Sequence, residues 1–168
     1  MHKMLKSRSG FTLLELLITT VVVGIVAAMA VPRFQTAWER QKFRGGNNDI
    51  VSKIKMARSY AISSKSPYGI YFDEQSNSFT VFKDVVNLST PVYDDGDSVI
   101  VTDTLPEEFD YIYTDCENSV IMFNSNGSAS FDGGGYIMAS AYTEHTYAMS
   151  MINVLASTGR VRVQSYYY

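Results

Sequence analysis

Lys6-Ser7-Arg8-Ser9-Gly10 is followed at once by FTLLELLITTVVVGIVAAMAV at positions 11–31, and then by Pro32-Arg33. The apolar run carries a single charge, Glu15. At about 1.5 Å rise per residue, a helix of this length matches a bilayer core of about 30 Å. Three structures compete for such a run: a permanent membrane helix, a removable secretory signal, and a core helix of a soluble domain. The last is disfavoured because an amphipathic stripe alternates with polar positions and this run barely does. A secretory signal has its parts here, with a basic start, an apolar stretch and Ala28-Met29-Ala30 as a small-x-small cleavage pattern. Two features resist it. The run exceeds the roughly 7–15 apolar residues of such signals. A carboxylate inside the span also costs ~2.5–3.5 kcal/mol at the membrane centre, and less near the interface.

Glu15 therefore needs a partner or a route to water. It sits close enough to the end of the span to snorkel to a headgroup. The sharper reading is a carboxylate that awaits a cation, because intramembrane ionisable groups tend to pair. A cut before Phe11 would create an α-amino group at a suitable depth. Within one helix that amine and Glu15 lie about 6 Å apart along the axis. A neighbouring subunit shifted by roughly one turn could bring its own amine level with Glu15.

Gly10, Phe11, the Leu13-Leu14 pair and Glu15, followed by a membrane-length helix, resemble the class III signal of type IV prepilins and type II secretion pseudopilins. The resemblance implies that a prepilin peptidase cuts after Gly10 and methylates Phe11 to N-methylphenylalanine. It also implies that Glu15 assists assembly by pairing with an N-terminal amine, and that the partners are other pilins or pseudopilins. Residues 1–10 would be the removed leader, and 11–31 the transmembrane and assembly helix. Pro32 matches a proline common in that family. By itself it also predicts a helix kink, since it lacks a donor and crowds the preceding turn. Lys3, Lys6 and Arg8 precede the span, while Arg33, Arg40, Lys42 and Arg44 follow it, so positive charge does not decide orientation. The resemblance does: a single-pass inner-membrane protein with its head in the periplasm.

Past Pro32 the helical pattern resumes as a periplasmic amphipathic helix over 32–65. Ile50, Ile54, Ala57 and Ala61 form one apolar face flanked by Val51 and Ile62, with Lys53, Lys55, Arg58 and Ser59 around the rest. Gly45-Gly46-Asn47-Asn48 interrupts it with residues that favour a bend or local melting. Ser66-Pro67 ends the helix. Strands are expected at 68–72, 78–82, 99–104, 120–123, 136–139, 147–155 and 160–164, rich in Val, Ile, Phe and Tyr. Residues 73–77 form a polar turn, Asn126-Gly127 a hairpin, and Ser157-Thr158-Gly159 a three-residue turn. The fold class is α+β and pilin-like: a long N-terminal transmembrane helix whose C-terminal half packs on an antiparallel β-sheet head at 66–168.

The formal charge of −3 hides a partition. Residues 33–65 carry eight Lys/Arg against Glu39 and Asp49, whereas residues 66–168 carry three against fourteen Asp/Glu. Such a head is a poor bulk binder of nucleic acid, which requires dense positive charge. The single Cys116 excludes an intramolecular disulfide and any multi-cysteine zinc site. With Asp115 and Glu117 beside it and no cation to lower its pKa, it reads as a bland thiol. His145 is solitary. Gly133-Gly134-Gly135 lies between strands rather than opening a helix, so it reads as a loop or bulge. Asp94-Asp95-Gly96-Asp97 lacks full calcium-loop spacing and reads as a solvated turn. No catalytic residue, metal site or cofactor is expected, and the protein is not read as an enzyme. The tail Tyr166-Tyr167-Tyr168 fits a partner contact or a frayed end.

Gly159-Arg160-Val161-Arg162 stands apart. On a strand Arg160 and Arg162 share one face, roughly 7 Å apart, with Val161 and Val163 on the other. The structural reading sends the valines into the core and leaves the arginines to answer an acidic head. A strand-rich head ending in Gly-Arg-Val also resembles the secretion-pathway protein H and FimT family of minor pseudopilins and minor pilins. In members that serve DNA uptake, Gly-Arg-x-Arg is associated with DNA binding, here Gly159, Arg160 and Arg162. The leading expectation is a minor pseudopilin, a structural subunit of the periplasmic filament of a type II secretion system. The alternative is a FimT-like minor type IV pilin that binds DNA through this strand.

Overall fold

A computed structural model describes residues 10–88, 90–105, 109–131, 133–143 and 147–168. The leader before Gly10 and His145 lie outside the described residues. Among the described residues one α-helix, α1 (Leu13–Ser64), precedes nine strands, with a single 3-10 turn at Glu117–Ser119. The chain divides into two compact units, one reaching Ala37 and the other comprising Trp38–Tyr168.

In the first unit the apolar side chains of positions 11–31 are all exposed, and the helix is long and apolar enough to cross a membrane. It remains helical through Pro32, whose carbonyl accepts a hydrogen bond from Thr36 Oγ1 (3.1 Å).

In the second unit, α1 buries Phe43, Gly46, Asn47, Ile50, Val51, Ile54, Ala57 and Ala61, one face at 3.6-residue spacing. Sequence periodicity catches this face from Ile50 onward and misses its first turn. The local melting considered at 45–48 does not occur, since the helix runs unbroken through these residues. Gly46 is there because a Cβ would overlap the Phe109 ring, which stacks on Phe43 with centroids 4.9 Å apart. The helix ends at Ser64, and Lys65 turns to positive φ just before Pro67.

The strands are β1 (Tyr68–Asp73), β2 (Ser78–Lys83), β3 (Ser98–Thr104), β4 (Tyr111–Thr114), β5 (Val120–Phe123), β6 (Ala129–Ser130), β7 (Tyr136–Tyr142), β8 (Tyr147–Leu155) and β9 (Arg160–Tyr167). They form two antiparallel sheets rather than one, ordered β3-β2-β1-β5-β6 and β4-β7-β8-β9. The structure also adds β4, a four-residue strand whose alternating buried Ile112 and Thr114 escape a search for longer runs, and the two-residue β6. Side chains from both sheets, among them Ile70, Phe72, Val81, Ile137 and Ile152, join the helix face in one core. A second, smaller cluster covers the other side of the first sheet. The connection between β2 and β3 folds back so that Tyr93 stacks on Tyr71 (5.2 Å) and packs on Phe82 (4.9 Å).

That connection is tied down by its acids. Asp97 Oδ1 accepts from Val85 N and Oδ2 from Asp94 N, each at 3.0 Å. Asp84 is buried and accepts from Asn87 N at 3.2 Å. The Asp94–Asp97 segment is thus a turn that organises its own backbone. Among the described residues no three His, Cys, Asp or Glu side chains converge for a metal. Gly133–Gly135 likewise forms a tight loop, closed by Tyr136 N donating to Asp115 Oδ1 (2.9 Å).

Candidate functional site

Two regions hold the residues singled out by sequence, one in each unit. In the first, Thr12 caps α1. Its Oγ1 accepts from Glu15 N (3.2 Å), and its carbonyl accepts from Leu16 N (3.2 Å). Thr-x-x-Glu is the sequence form of a capping box, a local signal absent from the membrane-span reading. Glu15 sits in the first turn of α1, where the positive end of the helix dipole favours a carboxylate. Its carboxylate makes no hydrogen bond or ion pair among the described residues, so it is available to a cation outside the chain. Phe11, 77% exposed, is equally uncovered.

The second region lies around Gly159. The turn from β8 to β9 has four residues, Ala156 included, rather than three, because Leu155 pairs with Arg160. Gly159 closes it at φ +61, with its N–H on the Leu155 carbonyl (2.7 Å). A Cβ there would overlap the Gly127 carbonyl of the β5–β6 hairpin. This glycine answers to backbone geometry and close approach. Beside it, Arg58 Nε donates to the carbonyls of Gly127 (3.0 Å) and Thr158 (3.2 Å). Arg58 reads in sequence as a solvated flank of the helix, and instead it fastens two turns to it. Nothing local in the sequence marks this pairing.

Arg160 and Arg162 are both exposed, and neither pairs with a carboxylate among the described residues. The idea that they answer the acidic head directly does not hold. Val161 packs at the margin of the core, but Val163 is 43% exposed because β9 is an edge strand. Lys55, Arg58, Thr158, Gly159, Arg160 and Val161 line an open groove of about 670 Å³. Its chemistry is that of a shallow cationic cradle, without a nucleophile or general base.

The tail is not frayed. Tyr167 belongs to β9, receives a hydrogen bond from Arg44 Nε on its hydroxyl (3.2 Å) and meets Phe43 edge-on (6.0 Å). The guanidiniums of Arg40 and Arg44 lie 5.6 and 5.4 Å from its ring centroid, within cation–π range. Cys116 is buried, with its thiol 4.0 Å from the Asp115 carboxylate.

The sequence matches the prokaryotic N-terminal methylation motif over residues 5–31. It is 33% identical over 76 residues to a fimbrial protein of Pseudomonas aeruginosa, covering 41% of this chain. The chain spans about half the length, 49%, of the curated relatives it matches. The fold resembles the type IV minor pilin FimU of Pseudomonas aeruginosa, with a TM-score of 0.52 at 10% identity, covering 75% of this chain and 90% of that one. The chain carries the methylation motif at its amino end and has a pilin-like fold. A weaker likeness, with a TM-score of 0.45 at 12% identity over 70% of this chain and 91% of the other, is to the minor pseudopilin EpsH of the Vibrio cholerae type 2 secretion system. These relatives are structural subunits rather than enzymes. For the pilin-like chain, the long apolar helix and antiparallel head agree with the expected fold class.

Proposed function

We propose that the protein is a structural subunit of a membrane-rooted, pilus-like filament, released for assembly by cleavage after Gly10 and methylation of Phe11. The observation that carries this reading is the first unit itself: a capped apolar helix with every apolar side chain of its span uncovered and a carboxylate unpaired in its first turn. Lipid covers such a surface before assembly, and the helices of other pilins or pseudopilins cover it afterwards. Pro32, which removes one backbone donor, is where such a helix would bend to fit its neighbours. On this reading the helix crosses the bacterial inner membrane once, with the head in the periplasm. Glu15→Leu removes a polar cost from the span, so the protein should remain in the membrane while crosslinking to other pilin-like subunits falls. Undiminished crosslinking would refute the pairing role of Glu15.

At a finer level we assign the subunit to the minor pseudopilins of a type II secretion filament, because its head is dominated by acidic groups that repel nucleic acid. The groove lined by Lys55, Arg58 and Arg160 is the one observation that favours the second reading, a FimT-like minor pilin that binds DNA. The two are separated by a mobility shift with duplex DNA at moderate salt. The secretion reading predicts no shift for the full chain in detergent. A shift abolished by Arg160→Gln with Arg162→Gln would promote the DNA reading. Its salt slope should fall by about 0.9 for each phosphate that an arginine no longer neutralises.

A further inference from the structure

The outward side of the second sheet differs in chemistry from the rest of the acidic head. Its strands, β4, β7, β8 and β9, hold no Asp or Glu, and their only Lys or Arg residues are Arg160 and Arg162. Side chains alternate across a strand. Those pointing away from the core include two tyrosines on β4, two on β7, one on β8, and Tyr166 and Tyr168. These are seven of the twelve tyrosines in the chain. Three methionines lie between them.

Strand register arranges the rings. Tyr111 on one edge shares a cross-strand row with Tyr166 on the other, and Tyr113 shares the next with Gln164. Tyr142, Tyr147 and Tyr168 lie side by side at one end, with centroids 6.4 and 5.9 Å apart. At the opposite end Asn153 pairs with Arg162. With strands ~4.8 Å apart and ~3.3 Å per residue, the face measures roughly 14 by 20 Å. Apart from Tyr166, whose hydroxyl lies 3.5 Å from Gln164 Oε1, none of the seven uses its hydroxyl in a hydrogen bond among the described residues. The acids that bracket β4 are turned to the backbone: Asp110 accepts from Tyr142 N, and Asp115 from Tyr136 N.

This set of groups selects among partners. A nucleic acid carries a phosphate at every nucleotide and needs cations along the whole track, whereas both arginines stand at one end. Protein partners also use tyrosine and arginine, but seat them in pockets around an apolar core. Apart from Leu155, no Leu, Ile, Val or Phe points out of this face to supply one. A sugar meets both properties at once. Its axial C–H groups form an apolar side that stacks on the negative face of an aromatic ring. Its equatorial hydroxyls donate and accept, as do tyrosine, Asn153 and Gln164. Carboxylates spaced along a glycan, rather than borne on every unit, are matched by cations at one end.

We propose that this face binds the glycan strand of the bacterial cell wall, a polymer of N-acetylated sugars with carboxylate-bearing branches on alternate units. The tyrosines take the sugar faces, Asn153 and Gln164 the acetamido groups, and Arg160 and Arg162 a carboxylate. The proposal rests on the reading that places the head in the periplasm, where that polymer lies.

The test measures co-sedimentation of the full chain, in detergent, with cell-wall sacculi stripped of protein. The chain should sediment with them, and tetra-N-acetylchitotetraose, an uncharged oligomer of one of the two sugars, should displace it. Tyr113→Ala with Tyr166→Ala should weaken retention by about tenfold or more without moving the melting temperature. Leu88→Ser, which alters an exposed apolar side chain away from this face, should leave retention unchanged. Should the tyrosine pair melt early, Arg160→Gln with Arg162→Gln decides, because both side chains are exposed. Retention should fall in that variant and lose its salt dependence. No retention, retention that Leu88→Ser lowers as much as the tyrosine pair does, or retention that neither pair changes overturns the proposal. So does displacement by oligo-dT and not by the oligosaccharide, which would mark a nucleic-acid platform. Retention only where other pilin-like subunits coat the sacculi would mark a protein-binding face and overturn it as well. Protease treatment of spheroplasts separates this claim from the reading beneath it. A head cleaved there that binds no sacculi overturns the glycan site alone. A head protected there overturns the periplasmic reading, and the cell wall as occupant with it.

Discussion

Gly45 and Gly46 follow one another on α1, yet a Cβ would meet open space at the first and the Phe109 ring at the second. Glycine in a helix interior costs roughly 0.5–1 kcal/mol relative to alanine. Gly45→Ala should therefore raise the stability of the head by about that amount, while Gly46→Ala should lower it by about 1–3 kcal/mol through overpacking. Thermal melting of the two variants checks this, and equal shifts would contradict the packing account. In the sequence both glycines look like punctuation, because composition cannot report that a ring from residue 109 lies over one of them. Asn47 was similarly opaque. It is buried against Ser150, with its side-chain nitrogen unpartnered among the described residues, a polar position within the helix's core face. Glu15 and Gly10, by contrast, are singled out by local pattern alone: one carboxylate in an apolar run, and a glycine just ahead of that run.

Among the elements, the connection between β2 and β3 shows how acids hold a loop and load it with charge. Burial pushes the Asp84 carboxyl above its ordinary value, against the N–H of Asn87, and the charges of Asp97 and Asp94 push it further. A carboxyl raised in the fold favours folding when protonated. Its stabilising contribution is complete below the ordinary carboxylate range and is lost as pH rises through the raised value. Asp84→Asn keeps an oxygen for Asn87 and removes the buried charge. It should raise the melting temperature by roughly a few degrees at pH 7 and change it little at about pH 3.5. An equal gap at both pH values would show that charge burial is not the cause. The loop's role as a cover for Tyr71 and Phe82 was not legible, since Tyr93 sits in a polar stretch with no period. β9 was legible through Gln164, and its last three residues were not. Their place depends on Arg40, Arg44 and Phe43 across the head, over a hundred residues away in the chain.

At the scale of the whole molecule, the amino-terminal unit and the head answer different demands. The head satisfies its own apolar surface with a helix face and two sheets. The apolar side chains at positions 11–31 are exposed among the described residues, and on the proposed reading lipid and neighbouring helices bury them. That division was readable from the first thirty residues, whereas the two-sheet arrangement was not, because pairing between distant strands leaves no local trace. The account as a whole turns on release of the helix by a cut after Gly10, which frees an amine to meet a neighbour's Glu15. Intact-mass spectrometry of the protein extracted from membranes of its native host tests this most directly. The account predicts a mature chain that begins at Phe11 and carries one methyl group on its amine. A chain that begins at Val31, after Ala28-Met29-Ala30, would mean an ordinary secretory signal and contradict the filament reading.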